Sequence, residues 1–584
     1  MSRALFSLTA VAATAVGAAS AAAVSQIHLG LSSANANCAN GISVSFASDV
    51  ATPYTVTATQ AGSASATKTV QSLAVSYSVN EPEYNYTYTS PSLHTALLCD
   101  LPGNTKYAYA IGSDYKGSFV TPLHAGADDV ETIIGVVGDP GDTSFSETTL
   151  SELSKPYEGK NVQAIFVAGD FSYSNGEHRQ WDNWFSEQMN LTTYIPFTGI
   201  NGNHETITNA GHLNVAPFPA DRTLRAENYL GYINRVYTPI TAQAKADLKT
   251  WFSLDVGLVH SVFLDDYTGS NGTDTTAEGN ARWLAYRDEQ LAWLKADLAS
   301  VNRAVTPWVI VFKHNPYYNT WSNHQCQCSS TIFDINGADA ENCWKGKYFS
   351  GTPHYEPHCG LQAKLEDVYA QYNVNIVMAG HVHAYERTNK VYKNKVDTAK
   401  GTYYVTTGGA GNYEGHAGPR LAKTPEWSLA ANNVTFGGSR VIATRKSLRV
   451  VWFANAFLNE DSAVASDGFT INADGADIIT WPATPVTPVP VPATSTPAPA
   501  TSTPSTPLTP VPATTAPSTP APATTAPVTP VTPSTPSTPV PAISTPSAPV
   551  TPSTPSTPAP TASTPAPVTT APVTPTPTTP RPVC

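Results

Sequence analysis

Five motifs in the middle of the chain place potential metal ligands directly after apolar runs. The runs are TIIGVV, AIFVA, YIPFTGI, WVIVF and VNIVMA. The residues that follow them are Gly138-Asp139-Pro140-Gly141, Gly169-Asp170-Phe171-Ser172-Tyr173, Gly202-Asn203-His204-Glu205, Lys313-His314-Asn315-Pro316 and Gly380-His381-Val382-His383. In open α/β sheets the binding crevice lies beyond the carboxyl ends of the strands, so the motifs predict that these side chains gather at one edge.

Each motif alone has an ordinary structural explanation, because Gly-Asp is a common turn and a single histidine after a buried strand often serves only the fold. The ordered set is far more specific. It supplies seven candidate metal ligands, namely Asp139, Asp170, Tyr173, Asn203, His314, His381 and His383. One catalytic zinc ion takes three or four ligands, so the set predicts two metal ions, with Asp170 as the candidate bridging carboxylate.

Tyr173 indicates what kind of ion the site would take. A phenolate is a hard, anionic oxygen donor, which suits a strongly Lewis-acidic trivalent ion. One predicted ion is bound by Asp139, Asp170, Tyr173 and His383. The other is bound by Asn203, His314, His381 and a share of Asp170, a mostly neutral set that suits a divalent ion. The sequence therefore predicts a mixed-valence pair.

The motif set GDxG, GDxxY, GNHE, VxxH and GHxH resembles that of the purple acid phosphatases, within the wider metallophosphoesterase class. The flanking segments GHVHAYER (380–387) and GGAGNYEG (408–415) match as well, and the likeness covers about residues 24–470. The resemblance implies Fe(III) beside Fe(II), Zn(II) or Mn(II), with a tyrosinate-to-iron charge transfer that colours the protein. Carried over to this chain, it assigns the two metal sites as above.

The resemblance implies a secreted acid phosphatase that hydrolyses phosphate monoesters by attack of a metal-bound hydroxide at a dinuclear Fe(III)–M(II) centre. Two alternatives stay open: a phosphodiesterase or nucleotide pyrophosphatase using the same site, and a wall-associated protein with a secondary redox role. The candidates for protonating the leaving group are His204 and His324. The candidate substrate-binding residues are Asn203, His204, Asn323 and His324. Asn323 stands where members of the family often have a histidine.

The 584 residues are too many for one compact core, and the patterning predicts an α+β chain with an α/β catalytic domain. Residues 24–122 contain short alternating runs that predict an N-terminal β-sandwich. The resemblance implies that this sandwich is fibronectin-III-like. Residues 130–475 alternate strands with helices, including predicted helices at 282–300 and 361–373. The resemblance makes this region a two-sheet metallophosphoesterase domain.

Both ends of the chain have their own composition. Residues 1–23 read as a signal peptide, with a membrane anchor as the alternative. Residues 482–584 hold 33 of the 50 prolines and only one charged residue, Arg581, which predicts a disordered, mucin-like tail. The expected location is extracellular, with cell-wall association through the tail left open. No later apolar run is long enough to span a membrane.

The cysteines and glycosylation sequons agree with export. Cys38 and Cys99 are expected to pair, and two further bridges are expected among Cys326, Cys328, Cys343 and Cys359, with zinc binding as the alternative. Cys584 is then left over. N-glycosylation sequons begin at Asn85, Asn190, Asn271 and Asn433. A net charge of −12 argues against nucleic-acid binding, so the expected partners are small phosphate esters; the oligomeric state is left open.

Overall fold

The computed structural model describes residues 24–82, 85–206, 212–213, 222–223, 227, 229–267, 277–325, 340–345, 359–455 and 463–481. Several predictions lie outside these residues: the signal peptide, the sequon at Asn271, Cys326, Cys328, and the tail with Cys584. Among the described helices, none is both long and apolar enough to cross a membrane.

The described residues of the N-terminal region contain ten strands. They are β1 (Ser25–Ser32), β2 (Gly41–Ser48), β3 (Thr55–Gln60), β4 (Lys68–Gln71), β5 (Leu73–Val75), β6 (Ser78–Glu81), β7 (Tyr86–Thr89), β8 (Ser92–Leu98), β9 (Lys106–Ile111) and β10 (Tyr115–Val120). Two four-stranded antiparallel sheets have the orders β1-β2-β8-β5 and β10-β9-β3-β4, and β6 pairs with β7. Alternating side chains such as Tyr107, Tyr109 and Ile111 of β9 are buried in the core, as period-2 patterning requires. This arrangement matches a β-sandwich; its fibronectin-III-like character stays a prediction.

The alternating run AVSYSVN (74–80) is divided between two strands in the structure. β5 pairs with β8, whereas β6 pairs with β7, so the chain changes partners around Tyr77. The backbone N–H of Tyr77 donates to the Ser90 hydroxyl at this change. Cys38 and Cys99 form the predicted disulfide. Cys343 is also disulfide-bonded, but the pairing predicted among the four later cysteines rests partly on residues outside the described ranges.

The described residues of the catalytic region contain seventeen strands. They are β11 (Thr132–Val137), β12 (Ala164–Ala168), β13 (Phe197–Ile200), β14 (His212–Leu213), β15 (Arg222–Thr223), β16 (Phe252–Val256), β17 (Val259–Phe263), β18 (Trp308–Lys313), β19 (Ile376–Ala379), β20 (Tyr385–Thr388), β21 (Val391–Tyr392), β22 (Lys395–Val396), β23 (Tyr403–Thr407), β24 (Ser428–Asn432), β25 (Gly437–Ala443), β26 (Ser447–Asn455) and β27 (Ala463–Asn472). The described helices are α1 (Ser144–Ser154), α2 (Arg179–Glu187), α3 (Met189–Thr192), α4 (Asn203–Thr206), α5 (Leu230–Arg235), α6 (Ala242–Ala246), α7 (Ala277–Ser300), α8 (Ala340–Trp344) and α9 (Gln362–Gln371).

The five predicted ligand-bearing strands lie in two sheets, which corrects the expectation of a single sheet edge. One sheet has the order β13-β12-β11-β25-β26-β27, and the other has the order β16-β17-β18-β19-β23-β20-β24. β11, β12 and β13 are parallel to one another, as are β17, β18, β19 and β23. The sheets share a core in which the Phe166 ring contacts Phe263 and Phe312 edge-on, with centroids 5.2 Å apart in both pairs. Strands such as β18 are buried along their whole length, which is why they read as unbroken apolar runs.

The hairpin of β16 and β17 carries a buried, charged histidine. His260 Nδ1 lies 2.7 Å from Asp255 Oδ1, and its Nε2 lies 3.0 Å from Asp297 Oδ2 on α7. Burial lowers the pKa of His260, but the hydrogen bonds to these two carboxylates outweigh it and raise that pKa from 6.5 to about 9. The imidazolium therefore ties the hairpin to α7.

We expect His260→Gln to flatten the pH dependence of stability on the alkaline side. A pKa raised in the folded state stabilises the protein fully below pH 6.5, and this stabilisation is lost as the pH rises towards 9. The difference amounts to about 3 kcal/mol at most. Urea unfolding of both proteins at pH 6 and pH 9.5 measures it. Equal pH slopes in the two proteins would contradict the assignment.

Three tyrosines of the N-terminal sheets contact the catalytic region, and we call Tyr77, Tyr86 and Tyr88 the tyrosine contact. The Tyr86 hydroxyl donates to Glu177 Oε1 at 3.0 Å and accepts the backbone N–H of His178 at 2.8 Å. The Tyr77 hydroxyl lies 3.1 Å from His178 Nδ1. Tyr88 donates to an Asp182 oxygen at 2.9 Å. These partners belong to the segment that follows Tyr173, so the two regions share one buried polar network.

Candidate metal centre

The carboxyl ends of strands from both sheets meet, and the seven predicted ligands come together there. β11 leads to Asp139, β12 to Asp170 and Tyr173, β13 to Asn203, β18 to His314, and β19 to His381 and His383. Asp139, Asp170, Tyr173 and His314 are at most 1% exposed. The remaining three are partly exposed, which leaves the site an opening to solvent.

Asp139, Tyr173 and His383 form the first donor group. The Tyr173 hydroxyl lies 3.1 Å from Asp139 Oδ1 and 3.0 Å from His383 Nε2. His383 Nε2 lies 3.5 Å from the same carboxylate oxygen. Burial, with the neighbouring carboxylates of Asp139 and Asp170, raises the pKa of the Tyr173 phenol well above its usual range. Only a strong cation beside the phenol would favour the phenolate.

Asp170, Asn203, His314 and His381 form the second donor group. Asn203 Oδ1 lies 2.9 Å from both His314 Nε2 and His381 Nδ1. His314 Nε2 lies 3.0 Å from Asp170 Oδ2. The candidate ligand atoms of Asp170, His314 and His381 all lie within 4.8 Å of one another.

The hydrogen bonding around His314 shows that the second group needs a positive charge. His314 Nδ1 donates to the Ala168 carbonyl oxygen at 2.8 Å, which directs the Nε2 lone pair of the neutral ring towards Asn203 Oδ1 and Asp170 Oδ2. Asp170 Oδ2 is buried and has no hydrogen-bond partner among the described residues. Burial lowers the pKa of His314, but the charge of Asp170 outweighs it and raises that pKa to about 10. In the neutral state, three acceptor atoms face one another: His314 Nε2, Asn203 Oδ1 and Asp170 Oδ2. Such an arrangement requires a shared proton or a metal ion.

The donor spacings fit metal ions. Ligand atoms about 2.1 Å from one ion lie about 3 Å from each other, and the closest donor atoms within the two groups lie 2.9–3.5 Å apart. Oxygen and imidazole donors of this kind suit iron, zinc and manganese. The residues therefore fit a pair of such ions.

The backbone at the centre is held in rarely populated conformations. Asp139, Asp170, Tyr173 and His381 all have φ values between 54° and 67°, a region that costs non-glycine residues free energy. Gly169 has a φ of 90°, and a Cβ there would lie 2.2 Å from His314 Nδ1. A Cβ on Gly380 would lie 2.5 Å from Asp139 Oδ2. Strain of this kind concentrates at functional sites, where the surrounding packing maintains it.

Glu205 was quoted in the sequence motif without a role, and the structure gives it one. Its carboxylate accepts the backbone N–H groups of Asp170, Phe171 and Gly202 at 2.8–2.9 Å. It therefore joins the turn after β12 to the turn after β13. Burial and the nearby charge of Asp170 raise the pKa of Glu205 to about 8. Its acidic character and its position beside a motif asparagine are the sequence signal that could have identified it.

His204 lies beside both donor groups. Its Nδ1 pairs with Asn175 Oδ1, and its Nε2 lies 3.8 Å from Asp170 Oδ2. The same Nε2 lies 3.8 Å from Glu414 Oε1, a carboxylate from the loop before β24. Glu414 also approaches His383 Nε2 at 3.9 Å, and the sequence reading gave it no role. Its presence in GGAGNYEG was the available signal.

His324 and Asn323 lie at the rim of the centre. The His324 ring is perpendicular to the His381 ring with centroids 5.4 Å apart, and Asn319 fixes the His324 carbonyl through a 2.8 Å hydrogen bond. Asn323 is exposed. His324 therefore lies beside a donor residue, and the roles of Asn323 and His324 stay predictions.

The sequons differ in accessibility. Asn85 and Asn190 are exposed. Asn433 is partly buried, and its Nδ2 donates to the carbonyl oxygens of Ala417 and Gly418 at 2.9 and 3.1 Å. Glycosylation of Asn433 would have to break these hydrogen bonds, so Asn85 and Asn190 are the better acceptors.

Comparison with protein families identifies two matching regions. Residues 132–385 match the model of the calcineurin-like phosphoesterases, and residues 401–466 match that of the iron/zinc purple acid phosphatase-like protein C region. Together these matches contain all seven donor residues.

Two proteins with similar sequences come from plants. Purple acid phosphatase 1 of Ipomoea batatas is 29% identical over 405 residues, which cover 66% of this chain and 70% of the relative. Fe(3+)-Zn(2+) purple acid phosphatase 12 of Arabidopsis thaliana is 28% identical over 396 residues, covering 64% and 70%. The structure of a purple acid phosphatase from seeds of yellow lupin, Lupinus luteus, aligns with a TM-score of 0.55 at 19% identity. It covers 77% of this chain and 74% of that one, which supports a shared fold.

Proposed function

We propose that this chain, a calcineurin-like phosphoesterase homologous to the plant purple acid phosphatases, is an acid phosphatase that hydrolyses phosphate monoesters at a dinuclear centre. The centre would hold Fe(III) and a divalent ion, either Fe(II), Zn(II) or Mn(II). The observation that carries the proposal is the division of the donors into two groups of different charge.

The first donor group would hold the trivalent ion. Asp139 and Tyr173 supply anionic oxygens and His383 supplies a nitrogen, while Asp170 would be shared between the ions. The second group adds the neutral donors Asn203, His314 and His381. Three protein anions against five metal charges leave about two positive charges, which favours a dianionic phosphate ester.

When bound, such a pair of ions would activate water and neutralise charge that develops on the phosphoryl group. The chain's own residues do the rest. The buried carboxylate of Asp170 and the fixed imidazole of His314 hold their donor atoms in place before substrate binds. Preorganised groups of this kind need no reorganisation during the reaction.

His204 is the proposed proton donor to the leaving group. Its Nδ1 is held by the Asn175 side-chain oxygen, so the ring orientation is fixed and Nε2 points to the space between Asp170 and Glu414. An imidazolium here would place its second proton near a bound ester oxygen. His324, on the far side near His381, would orient the ester.

We propose secretion as well. Cys38 and Cys99 form a disulfide bond. Disulfide bonds persist in oxidising compartments and are rare in cytosolic proteins. A wall-bound location through residues 482–584 rests on composition alone.

The substrate class is tested by comparing aryl phosphate monoesters and diesters at equal concentration across pH 4–8. We expect kcat/KM for the monoester to exceed that for the diester by about a hundredfold or more, because the dianion gains more from the positive centre. A preference for diesters or for nucleotide pyrophosphate bonds would instead support the phosphodiesterase alternative.

A further inference from the structure

Two consecutive aspartates, Asp265 and Asp266, lie just beyond the carboxyl end of β17, beside the turn that carries His314. Both are fully buried, at 0% exposure. β17 is parallel to β18, so its end opens on the same side of the sheet as the metal centre. Neither residue is among the seven donors. A buried carboxylate is costly to desolvate, so each requires a structural or functional reason.

Asp266 holds the turn after β18. Its Oδ2 accepts the backbone N–H of His314 at 3.1 Å and that of Asn315 at 2.7 Å. Its Oδ1 lies 2.9 Å from Lys313 Nζ, and the Lys313 side chain is 1% exposed. The Lys313 ammonium also donates to the Asn315 carbonyl oxygen. The ion pair therefore fixes the backbone on both sides of His314.

Asp265 holds the turn after β13. Its Oδ1 accepts from Asn201 Nδ2 at 2.8 Å, and its Oδ2 accepts from the Thr250 hydroxyl at 2.9 Å. The Thr250 hydroxyl also lies 2.7 Å from Asn201 Oδ1. Asn201 is two residues before Asn203. Asp265 therefore fixes the start of the turn that carries the Asn203 amide.

We propose that Asp265 and Asp266 are positioning residues for the second donor group. Asp265 orients the turn of Asn203, and Asp266 orients the turn of His314. The donor atoms carried by these two turns, Asn203 Oδ1 and His314 Nε2, lie 2.9 Å apart. The inference rests on the proposed function, because it assigns these turns to the binding of the divalent ion. Asp266 contacts the backbone of His314, and Asp265 contacts the side chain of Asn201. Neither carboxylate would touch the substrate, so we expect both to change metal affinity.

The charge of Lys313 is part of this device. A buried ammonium without a partner is strongly destabilising, as is a buried carboxylate that has lost its partner. Asp266→Asn or Lys313→Met alone leaves one buried charge unpaired. The double variant Asp266→Asn/Lys313→Met removes both charges and keeps an amide oxygen that can accept the N–H groups of His314 and Asn315.

The test measures Zn²⁺ affinity by calorimetry on protein that retains iron after mild chelation, and amide hydrogen exchange of residues 313–315 in metal-free protein. We expect Asp266→Asn and Lys313→Met to weaken Zn²⁺ binding by about 10–100-fold, the usual effect of losing a group that orients a ligand. Exchange at residues 313–315 should accelerate in both. The double variant should recover most of the affinity.

Asp467→Asn is the matched control. Asp467 is a mostly buried aspartate that pairs with Arg387 and accepts from Tyr385, and none of these contacts involves a donor residue. It should leave Zn²⁺ affinity within about twofold. Wild-type Zn²⁺ affinity and wild-type exchange rates in the Asp266 and Lys313 variants would overturn the positioning role. Wild-type protein that binds neither iron nor any divalent ion at this centre would instead refute the proposed function, and the exchange rates would still test whether Asp266 holds the turn.

Discussion

Asp170→Asn is expected to abolish most activity and to release metal ions from the protein. The carboxylate contributes one buried oxygen, 3.0 Å from His314 Nε2, to the second donor group, and the other oxygen accepts the backbone N–H of His204 at 2.9 Å. An amide presents a neutral oxygen and an N–H₂ group, which cannot neutralise two cations. Loss of several kcal/mol of metal-derived transition-state stabilisation corresponds to at least about a thousandfold in kcat/KM.

Metal content by mass spectrometry and kcat/KM with an aryl monoester measure this change together. Asp467→Asn makes the same substitution at an aspartate paired with Arg387, away from the donors, and should keep both quantities. Near-normal iron and divalent metal in Asp170→Asn would refute a shared carboxylate. Circular dichroism of both variants verifies that the fold is retained.

Tyr173→Phe is expected to remove the visible absorption of the protein while leaving part of its iron. In a mixed-valence centre of this kind the colour would come from charge transfer between a tyrosinate and Fe(III), and phenylalanine lacks the oxygen. Asp139 and His383 remain as donors in the first group, so the variant should bind iron more weakly but should not lose it entirely. We expect kcat/KM to fall about tenfold or more, because an anionic ligand that tunes the ion is lost.

Tyr232→Phe provides the comparison for this variant. Tyr232 is also fully buried, but its hydroxyl donates to the Gly199 carbonyl oxygen and contacts no donor residue. Its visible spectrum should match that of the wild type. Colour that persists in Tyr173→Phe, at equal iron content, would contradict the role of Tyr173.

The donor positions could be predicted from the sequence because each one follows a strongly apolar strand. β12 and β18 are buried on both faces, so their composition identifies them, and Asp170 and His314 come directly after the positions where the chain leaves the sheet. The sequence could not show that β12 and β18 belong to different sheets. That division depends on long-range pairing, such as the antiparallel contact of β11 with β25, about 300 residues later in the chain.

The supporting residues were harder to predict for a different reason. Asp265 and Asp266 follow an apolar run as Asp139 does, but consecutive acidic residues after a strand normally indicate a solvated turn. Their burial depends on Lys313 and Asn201, which reach them only in the folded sheet. Glu414 comes from a loop with no regular pattern. Residues that position other residues leave only a weak signal in the sequence around them.

The tyrosine contact has a consequence for dissection of the chain. Tyr86 holds Glu177 and His178 a few residues beyond Tyr173, and Arg235 bridges Tyr77 to Gln26 of the first strand. A fragment that starts near residue 130 would leave Glu177 and Arg235, both at most 4% exposed, facing water without their partners among residues 24–122. The segment that follows Tyr173 thus owes part of its packing to the N-terminal region, and shortened versions of the enzyme would need new partners for these two side chains.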